Sequence, residues 1–591
     1  MKKTIIALCL TIALLMCLIG VVACSDTHTH SFATQWSCDS EFHWHAATCE
    51  HTDSVSEKAA HTYDESGKCT VCNYDKYASN AHTHTTASTW SSDSESHWHG
   101  CTVCGEKLDI AEHEFTDGKC ICGKLQNYVS TKGLKYELTA GGEGYSVTGI
   151  ETLSDTDIVI GDTHNNLPII SIADDAFLHC DAITSVTIAD SVTTIGSAAF
   201  AGCEALAEVI LGDGVRIIEE SAFEACTSLT KLTLGKNITT IDMVAFGECM
   251  SLTEVALPQG LKIIEMGAFT DCTSLKSIYI PSTVNYIGEY AFSSCLQLDT
   301  ITVSEENNAY HSVSNCLIDT NNKVLLAVGY NTNIIPNDGS VTVIGKGAFG
   351  RHNALTEITL PDTITVIDDS AFSECESLKQ IKMSINVRYI GEMTFKDCKL
   401  LTGISLPNTL TEIGEYAFMR CSALRNITIP NGISIINTGV FRDCTSLMQI
   451  VLPNSTREIE EYAFRGCTSL TSIDLGNGVT TIGGSAFDGC AFSEIKLSDT
   501  LTKIESFAFN GCKNLKSLSI PDSVTYFGPI IGCSSLTSII IPGSVELSQY
   551  HFMGCSSLQD IYYKGSEEQW KSFQIETNAT VHFIGDGQNE L

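Results

Sequence analysis

Histidine and cysteine are concentrated near the start of the chain, and the segment SHWHGCTVCGEK, residues 96–107, holds two of each. The pair Cys101 and Cys104 is followed by Gly105. A second pair, Cys120 and Cys122, lies after 15 intervening residues and is followed by Gly123. Four thiolates on two tight turns can hold a tetrahedral Zn²⁺ ion, and glycine lets backbone amides approach the sulfurs. The pattern therefore predicts a structural zinc site. Its predicted ligands are Cys101, Cys104, Cys120 and Cys122, with His97 and His99 as second choices.

An earlier segment is a second copy of this module. The motif His-Trp-His at 43–45 recurs at 97–99, and most of the histidines and tryptophans of the chain lie between residues 28 and 124. Such self-similarity indicates duplicated small units. Each copy has about 45 residues, too few for a stable apolar core, so a cross-link is expected. The later copy resembles a zinc ribbon. The predicted zinc ligands of the earlier copy are Cys49, His51, Cys69 and Cys72.

Two other kinds of chemistry suit these cysteines. Disulfides are permitted outside the cytoplasm, although a bridge within Cys-x-Cys is strained. A thioredoxin-like redox centre needs a Cys-x-x-Cys at the start of a helix in a βαβ setting, and no such setting is visible. Structural zinc is thus the first prediction for the cofactor, and disulfides are the main alternative.

The first 24 residues have the layout of a targeting segment. Lys2 and Lys3 precede an apolar run from Ile5 to Ala23. The run ends in Val-Val-Ala-Cys, which resembles the lipobox of bacterial lipoproteins. Cys24 would then be the mature N-terminus and carry diacylglycerol, and two acyl chains give a stable anchor. The alternative is an uncleaved helix. Either way the rest of the chain is expected outside the cytoplasm, because no second apolar run of membrane length follows.

From residue 171 onward one repeat sets the elements of the chain. A cysteine recurs every 23 residues from Cys180 to Cys295 and again from Cys375 to Cys490, with a phenylalanine three places before each. This period falls within the leucine-rich-repeat range. The Leu-x-x-Ile-x-Leu part alternates with period two, which predicts a strand with one buried face. Prolines end several of these strands, and the Val-x-x-Ile-Gly part is predicted to turn the chain back.

One coil cannot bury its own apolar side, so coils are expected to stack at about 4.8 Å, the strand spacing. The predicted fold class is a mainly-β repeat solenoid, a curved stack of parallel strands, with small Cys/His-rich modules at the N-terminus. Stacked cysteine side chains point in parallel, which places their Cβ atoms too far apart for a relaxed disulfide. The repeat cysteines are therefore predicted to be buried free thiols that pack like small apolar side chains.

These patterns divide the chain into six segments. They are a signal peptide at 1–23, a first Cys/His module at 24–80, a second, zinc-ribbon-like module at 81–124, a linker and N-terminal cap at 125–170, the repeat array at 171–564, and a C-terminal cap and tail at 565–591. Residues 296–348 interrupt the period, and their own alternating stretch predicts an inserted hairpin-like coil.

The repeat LTxIxLPxxVTxIGxxAFxxCxS resembles that of the BspA-like leucine-rich-repeat surface proteins of bacteria. The resemblance extends over roughly residues 134–583. Residues 134–170 resemble the N-terminal cap of the family and residues 560–573 its C-terminal cap, and caps are expected because an open apolar end would aggregate. The resemblance implies adhesion to host matrix proteins and to other cells, and it brings no catalytic residues.

Composition restricts the class of partner. The chain carries 70 acidic against 34 basic residues, a net charge of −36. Binding to a phosphate backbone needs clustered Lys and Arg, so a nucleic-acid partner is excluded. No nucleophile with a nearby base and no phosphate loop is visible in the sequence, so no enzymatic activity is expected.

The outward positions of the predicted strands carry short polar residues, which suit either a solvated face or a broad, shallow surface for a protein or glycan. Tyrosine adds contact area at a low entropic cost. Three of the tyrosines share one repeat position, which equally fits simple inheritance of the repeat. The candidate ligand-binding residues are Tyr279, Tyr290, Tyr416, Tyr462 and Tyr562.

Two functions from different classes follow. In the first, a lipid-anchored, non-catalytic adhesin presents the array to proteins or glycans of host matrix or cell surfaces. In the second, the protein is a zinc-binding surface lipoprotein whose Cys/His-rich N-terminus is the functional part and whose repeats display it.

Overall fold

The computed structural model describes residues 129–152 and 155–585, together with short segments between residues 32 and 120. The chain divides into two compact units. One comprises residues 1–114 with 121–123, and the other comprises residues 115–120 with 124–591.

The described part of the N-terminal unit contains two antiparallel three-stranded sheets, one in each copy of the duplicated module. Their registers agree, because Trp36 pairs with His45 in the first sheet and Trp90 pairs with His99 in the second. The strands of the two sheets are β1 (Phe32–Cys38), β2 (Phe42–Ala47), β3 (Val55–Ala60), β4 (Thr86–Ser92), β5 (Ser96–Cys101) and β6 (Lys107–Glu112). A short hairpin follows, formed by β7 (Phe115–Thr116) and β8 (Lys119–Cys120).

The described solenoid begins with a cap. Strand β10 pairs in parallel with β13 on one side and antiparallel with β9 on the other, so β9 ends the sheet. The Tyr136 ring stacks on the His164 ring at 3.8 Å over this end. The cap strands are β9 (Leu134–Leu138), β10 (Tyr145–Ile150), β11 (Asp157–Ile160), β12 (Thr163–His164) and β13 (Leu167–Ile172).

Most coils of the array contribute strands to two parallel ladders. Ladder A is formed by the Leu-x-x-Ile-x-Leu part of the repeat and ladder B by the Val-x-x-Ile part. Within ladder A, Val209 and Leu211 point inward while Glu208 and Ile210 point outward. In the first run, ladder A contains β14 (Ser185–Ile188), β16 (Glu208–Leu211), β18 (Lys231–Thr233), β21 (Ser277–Ile280) and β23 (Thr300–Val303), and ladder B contains β15 (Thr194–Ile195), β17 (Ile217–Ile218), β19 (Thr240–Ile241), β20 (Ile263–Ile264) and β22 (Tyr286–Ile287).

The segment that interrupts the period forms an antiparallel meander and then rejoins ladder B. The Tyr310 hydroxyl accepts a hydrogen bond from the Ile287 backbone N–H at 2.7 Å, which joins the meander to the preceding coil. On another side of the coil, Lys346 pairs with Glu289 at 3.0 Å. The strands are β24 (Tyr310–Val313), β25 (Cys316–Asp319), β26 (Val324–Val328) and β27 (Val343–Ile344).

The second run repeats the two-ladder arrangement and ends in a cap with a short helix, which Ser566 and Gln569 close with a capping box. The elements are β28 (Glu357–Thr359), β29 (Val366–Ile367), β30 (Gln380–Lys382), β31 (Tyr389–Ile390), β32 (Gly403–Ile404), β33 (Glu412–Ile413), β34 (Asn426–Ile427), β35 (Ile435–Ile436), β36 (Gln449–Val451), β37 (Glu458–Ile459), β38 (Ser472–Asp474), β39 (Thr481–Ile482), β40 (Lys503–Ile504), β41 (Ser517–Ser519), β42 (Tyr526–Phe527), β43 (Ser538–Ile541), β44 (Asp560–Tyr563), α1 (Glu567–Ser572) and β45 (Thr580–Phe583).

A column of phenylalanines forms one side of the core. The rings stack from Phe177 to Phe292 and again from Phe349 to Phe509, with centroids 4.8–5.7 Å apart and planes within 16° of each other. The spacing follows from one ring per coil.

The mainly-β repeat solenoid predicted from the sequence is confirmed. The Val-x-x-Ile-Gly part, predicted to turn the chain back, also supplies the two-residue strands of ladder B, which the sequence did not predict. The β-branched residues of this part suit a strand, and one pair of residues per coil suffices because the next coil continues the pairing in register.

Candidate functional site

The recurrent cysteines join consecutive coils and are not reactive centres. Cys226 Sγ donates to the Phe200 carbonyl at 3.3 Å, and the same carbonyl accepts the Cys203 backbone N–H at 3.2 Å. The sulfur contact recurs in both runs at 2.9–3.3 Å. Burial raises the pKa of the Cys203 and Cys295 thiols to about 12, so the nucleophilic thiolate is scarce. The free state predicted for the repeat cysteines is confirmed for those that the structure describes.

Two buried histidines take over positions of the repeat. His352 stands in the cysteine position and His551 stands beside Phe552 in the alanine position, and each is almost fully buried. Burial lowers the pKa of His352 to about 4 and that of His551 to about 3. The Nε2 atom of each is buried without a hydrogen-bond partner in the described part of the chain. Both imidazoles are therefore neutral packing groups at pH 7.

Three of the candidate tyrosines lie within the stack of coils. Tyr290, Tyr416 and Tyr462 share a left-handed backbone position, with φ between +54° and +59°, and all three are half-buried. A Cβ atom at Gly347 would lie 2.5 Å from Tyr290 Cδ1, so the tyrosine ring fills the space over the glycine of the next coil. This packing accounts for the contacts of Tyr290, while a ligand-binding role for the three stays a prediction.

The other two candidate tyrosines lie on ladder A. Tyr279 is 46% exposed. The Tyr562 ring stacks on the His582 ring at 4.7 Å with the planes 16° apart, and His582 Nε2 lies 2.7 Å from Asp560 Oδ1. The structure thus separates Tyr279 from Tyr562 by most of the array and does not bring the five tyrosines into one site.

The predicted lipid and zinc residues lie outside the residues whose side chains are described. They are Cys24, Cys49, His51, Cys69, Cys72, Cys101, Cys104, Cys120 and Cys122. The second-choice ligands are described, and both contact Trp90: the His99 ring stacks on it at 3.7 Å and the His97 ring meets it edge-on at 4.6 Å. Among the described residues, no group of three His, Cys, Asp or Glu side chains is arranged to hold a metal ion.

Ladder A is interrupted repeatedly, whereas ladder B is much more continuous. Outside the caps, ladder A falls into sheets of two to four strands, while ladder B takes part in sheets of five strands or more. Two open cavities lie on the outward side of the array where ladder A is interrupted. The larger has a volume of about 900 Å³ and lies between β38 and β41, and the smaller, of about 500 Å³, lies between β30 and β34.

The larger cavity lies over a coil that is one residue short. Cys490 and Cys512 are 22 residues apart, and the lost residue lies between Cys490 and the strand position. Phe492 therefore takes the place of the usual leucine, and it is fully buried with its ring edge-on to that of Phe487 at 5.8 Å. The larger ring compensates for the shorter chain, and residues 493–498 form no strand.

We name the space over residues 493–499, between β38 and β41, the strand gap. Lys516 N–H donates to the Ser493 carbonyl at 2.9 Å. Beyond that contact, within this fully described stretch, no backbone hydrogen bond joins residues 494–497 to either neighbouring coil. Backbone groups inside a sheet normally pair, so the unpaired donors and acceptors of residues 494–497 are unusual for this position.

The walls of the strand gap are polar and its floor is aliphatic. Ile473, Ile520 and Leu497 are buried in the floor. None of the residues that line the cavity is aromatic. The hydroxyl groups of the walls belong to Thr471, Ser472, Ser493, Ser517, Ser519 and Ser523.

Charged groups stand at two places around the strand gap. Lys564, whose side chain is only 5% exposed, holds both carboxylate oxygens of Asp522, at 2.8 and 3.0 Å. Glu494, Lys496 and Asp499 are exposed, and none of the three forms an ion pair with any residue that the structure describes. The Lys564–Asp522 pair was missed in the sequence, because its partners are 42 residues apart.

The fold and its repeat define a leucine-rich-repeat solenoid. The BspA type leucine rich repeat region matches six copies over residues 170–299, 329–448 and 434–559, more than half of the chain. The chain therefore belongs to the BspA-type leucine-rich-repeat family.

Several solved structures are similar to this chain. A leucine rich cell surface protein from Faecalibacterium prausnitzii is 23% identical, with 77% of this chain and 99% of that chain covered and a TM-score of 0.33. A leucine-rich repeat protein from Eubacterium ventriosum is 23% identical, with coverages of 64% and 92% and a TM-score of 0.46. One from Bacteroides ovatus is 22% identical, with coverages of 78% and 100% and a TM-score of 0.38.

None of the curated proteins matches the chain. Within the residues that the structure describes, no helix has the length and apolar character needed to cross a bilayer.

Proposed function

We propose that the protein is a non-catalytic, surface-displayed binding protein whose solenoid adheres to proteins of host matrix or neighbouring cells. The observation that carries this proposal is the strand gap, an open cavity of about 900 Å³ with unpaired backbone groups on the outward side of ladder A. The family of the repeats supports an interaction role. The acidic net charge of −36 keeps nucleic acids away.

In this proposal Cys24 carries the lipid that tethers the protein to the outside of the cell membrane, and the duplicated modules separate the tether from the array. A diacylated cysteine supplies a lasting anchor without a membrane-spanning helix. Mass analysis of the mature N-terminus tests the anchor, because a diacylglyceryl Cys24 is expected and an intact Met1 contradicts it.

A truncation experiment tests the binding role. The chain without its first 23 residues and a second form lacking residues 24–124 are incubated with immobilised matrix proteins and with neighbouring bacterial cells. Both forms are expected to bind equally, because the binding surface lies on the array. If the shorter form binds nothing while the N-terminal part holds zinc reversibly, the metal-binding lipoprotein takes the place of the adhesin.

A further inference from the structure

We propose that the outward face of ladder B binds basic segments of a partner protein, with one lysine or arginine side chain held at Tyr286 and another at Tyr389. The inference rests on the proposed binding function and names the chemistry of the partner. The two tyrosines occupy outward strand positions of ladder B, in β22 and β31. Tyr286 is 47% exposed and Tyr389 is partly exposed, so both rings are accessible to a partner.

The chain itself shows what a tyrosine at this position can hold. Tyr526 has the same outward position in β42, and Lys503 pairs with it from the preceding coil. The Lys503 ammonium lies 5.9 Å from the centre of the Tyr526 ring and 2.6 Å from Glu505 Oε1. An aromatic ring and a carboxylate thus share one ammonium, at distances that suit a cation–π contact and an ion pair.

The surroundings of Tyr286 repeat this arrangement without the lysine. Ile263 pairs with Tyr286 across ladder B and so stands in the position of the lysine. Glu265 follows two residues later, in the position of the carboxylate. Burial raises the pKa of the Tyr286 hydroxyl, and the nearby carboxylates of Glu265 and Glu289 raise it further. The ring and the carboxylate are therefore both present beside an aliphatic residue.

Tyr389 has the same kind of surroundings. Val366 pairs with it in the position of the lysine, and Asp368 follows in the position of the carboxylate. Burial raises the pKa of the tyrosine hydroxyl, and the carboxylates of Asp369, Glu412 and Asp368 raise it further. The arrangement seen at Lys503 thus recurs twice in ladder B with an aliphatic residue in place of the lysine.

The charge around the two rings favours a cation. Lys346 is already paired with Glu289 at 3.0 Å and with Asp369 at 3.4 Å. Glu265 and Asp368 form no ion pair with any residue that the structure describes, and no cation of the described coils lies over either ring. The net charge of −36 draws basic partners toward the array over a longer range.

The aliphatic neighbours suit the stem of a long basic side chain. Lysine and arginine cover apolar surface with their methylene groups while the charged head stays in water. Ile263 and Val366 are partly exposed on the outward face and provide such surface beside each ring. The same carboxylates repel an anionic ligand. Each site therefore fits one lysine or arginine side chain of a protein.

The probe for the test is a labelled nonapeptide of three Gly-Ser-Lys units, titrated against the full chain by fluorescence anisotropy. Its affinity is expected to fall roughly fivefold in the double variant Tyr286→Ser/Tyr389→Ser, and to be retained in the corresponding Tyr→Phe double variant, which keeps both rings. Tyr526→Ser is the matched control and should bind normally, because Lys503 already occupies that ring. Equal affinity of all variants, or equal binding of a peptide with acetylated lysines, overturns the proposal.

Adding lysines to the chain tests the proposed contact in the opposite direction. Ile263→Lys/Val366→Lys supplies each ring with an internal cation and is expected to weaken peptide binding as much as loss of the rings. Thr194→Lys/Thr240→Lys adds the same charge at outward positions of ladder B whose paired neighbours are not tyrosines. This control is expected to bind the peptide more tightly than the first pair. Equal effects of the two pairs overturn the proposal, because net charge alone would then explain binding.

Proton NMR of the peptide provides a readout that long-range attraction does not change. The ε-methylene protons of the peptide lysines are expected to shift upfield with the natural chain, because they lie over a ring face, and to stay unshifted with Tyr286→Ser/Tyr389→Ser. Unshifted protons at saturating natural chain overturn the proposal. If the protons do not shift while the array still binds matrix proteins, the inference falls and the proposed function stands.

Discussion

Tyr416 and Gly439 occupy the same position in consecutive coils, and the tyrosine ring fills the space that a side chain on Gly439 would need. Both residues have a left-handed backbone, with φ of +54° and +61°. A Cβ atom at Gly439 would lie 2.3 Å from Tyr416 Cδ1 and Cε1. The Tyr416 ring therefore leaves no room for a side chain on Gly439.

Gly439→Ala is expected to destabilise the solenoid by roughly 2–3 kcal/mol. About 1 kcal/mol comes from the positive φ, and the remainder comes from displacing the Tyr416 ring. The matched control is Gly489→Ala, where φ is +77° but the nearest heavy atom outside its immediate chain neighbours lies 4.0 Å away, so only the backbone cost remains. Urea unfolding measures both, and equal losses would show that the ring contact has no cost.

Thiol labelling is expected to distinguish Cys180 from the other repeat cysteines. Cys180 is partly exposed, whereas the repeat cysteines from Cys203 to Cys295 and from Cys375 to Cys512 are buried and donate to a carbonyl of the preceding coil. At pH 8 an alkylating reagent should modify Cys180 first, even though burial raises the pKa of its thiol, and should reach the others only at the rate of unfolding. Peptide mapping by mass spectrometry checks the order, and early modification of Cys249 would contradict it.

The buried histidines are expected to make the solenoid sensitive to acid. Burial holds the pKa of His352 at about 4, below its unfolded value of 6.5, so the unfolded chain binds more protons between these values. The contribution of neutral, buried His352 to the free energy of unfolding is fully present above pH 6.5. It is lost as the pH drops toward 4, by roughly 3 kcal/mol for this residue alone.

Replacing His352 with the cysteine found in other coils, His352→Cys, should remove that part of the acid sensitivity. Urea titrations at pH 7.0, 5.5 and 4.5 compare the variant with the natural chain. His582→Gln is the control, since this half-exposed side chain is on the surface of the C-terminal cap. An unchanged pH dependence in His352→Cys would contradict the assignment, with His551 expected to supply the remaining sensitivity.

Glu219→Gln is expected to stabilise the protein at neutral pH. Burial, with the nearby carboxylates of Asp174 and Asp242, raises the pKa of Glu219, so its ionised form is disfavoured in the fold. The free-energy cost of keeping Glu219 ionised in the folded state is present at pH 7 and disappears as the pH falls through the raised pKa. The gain should be a few tenths of a kcal/mol, because the group is largely solvated. Thermal unfolding at pH 7 and 4.5 checks this against Glu305→Gln, an exposed control for which no change is expected.

Structural zinc in the duplicated modules stays a prediction with a direct measurement. Elemental analysis of the purified chain should find one zinc ion for each module, because each set of four ligands is complete for a tetrahedral site. A content below about half of that favours the disulfide alternative, which non-reducing peptide mapping would then reveal.

The repeat itself was predictable because each coil gives the same residue the same surroundings. The phenylalanine and cysteine columns could be inferred because residues equivalent to Phe200 and Cys203 recur with one period, so each type must occupy the same buried place in every coil. Ladder B was missed because only Thr194 and Ile195 of its coil pair, and two residues leave no alternation to detect. The left-handed positions were missed because Tyr416 and similar bulky residues occupy them, where glycine would have been the expected signal.

The strand gap was only partly predictable. The 22-residue step to Cys512 is visible in the sequence, and the outward positions of the strands were expected to carry short polar residues. The loss of backbone hydrogen bonds in this coil depends on how the Phe492 side chain packs between the neighbouring coils. That packing involves residues distant in the sequence. The pairing of Lys564 with Asp522 depends in the same way on coils that are distant in sequence.

The shortened coil also shows how the array accommodates a change in length. Phe487 and Phe509 still stack at 5.6 Å across it, so the loss of one residue is absorbed where it occurs and leaves the coils on either side in place. A coil of this array therefore tolerates a change of one residue in its length without losing the ring column that joins it to its neighbours.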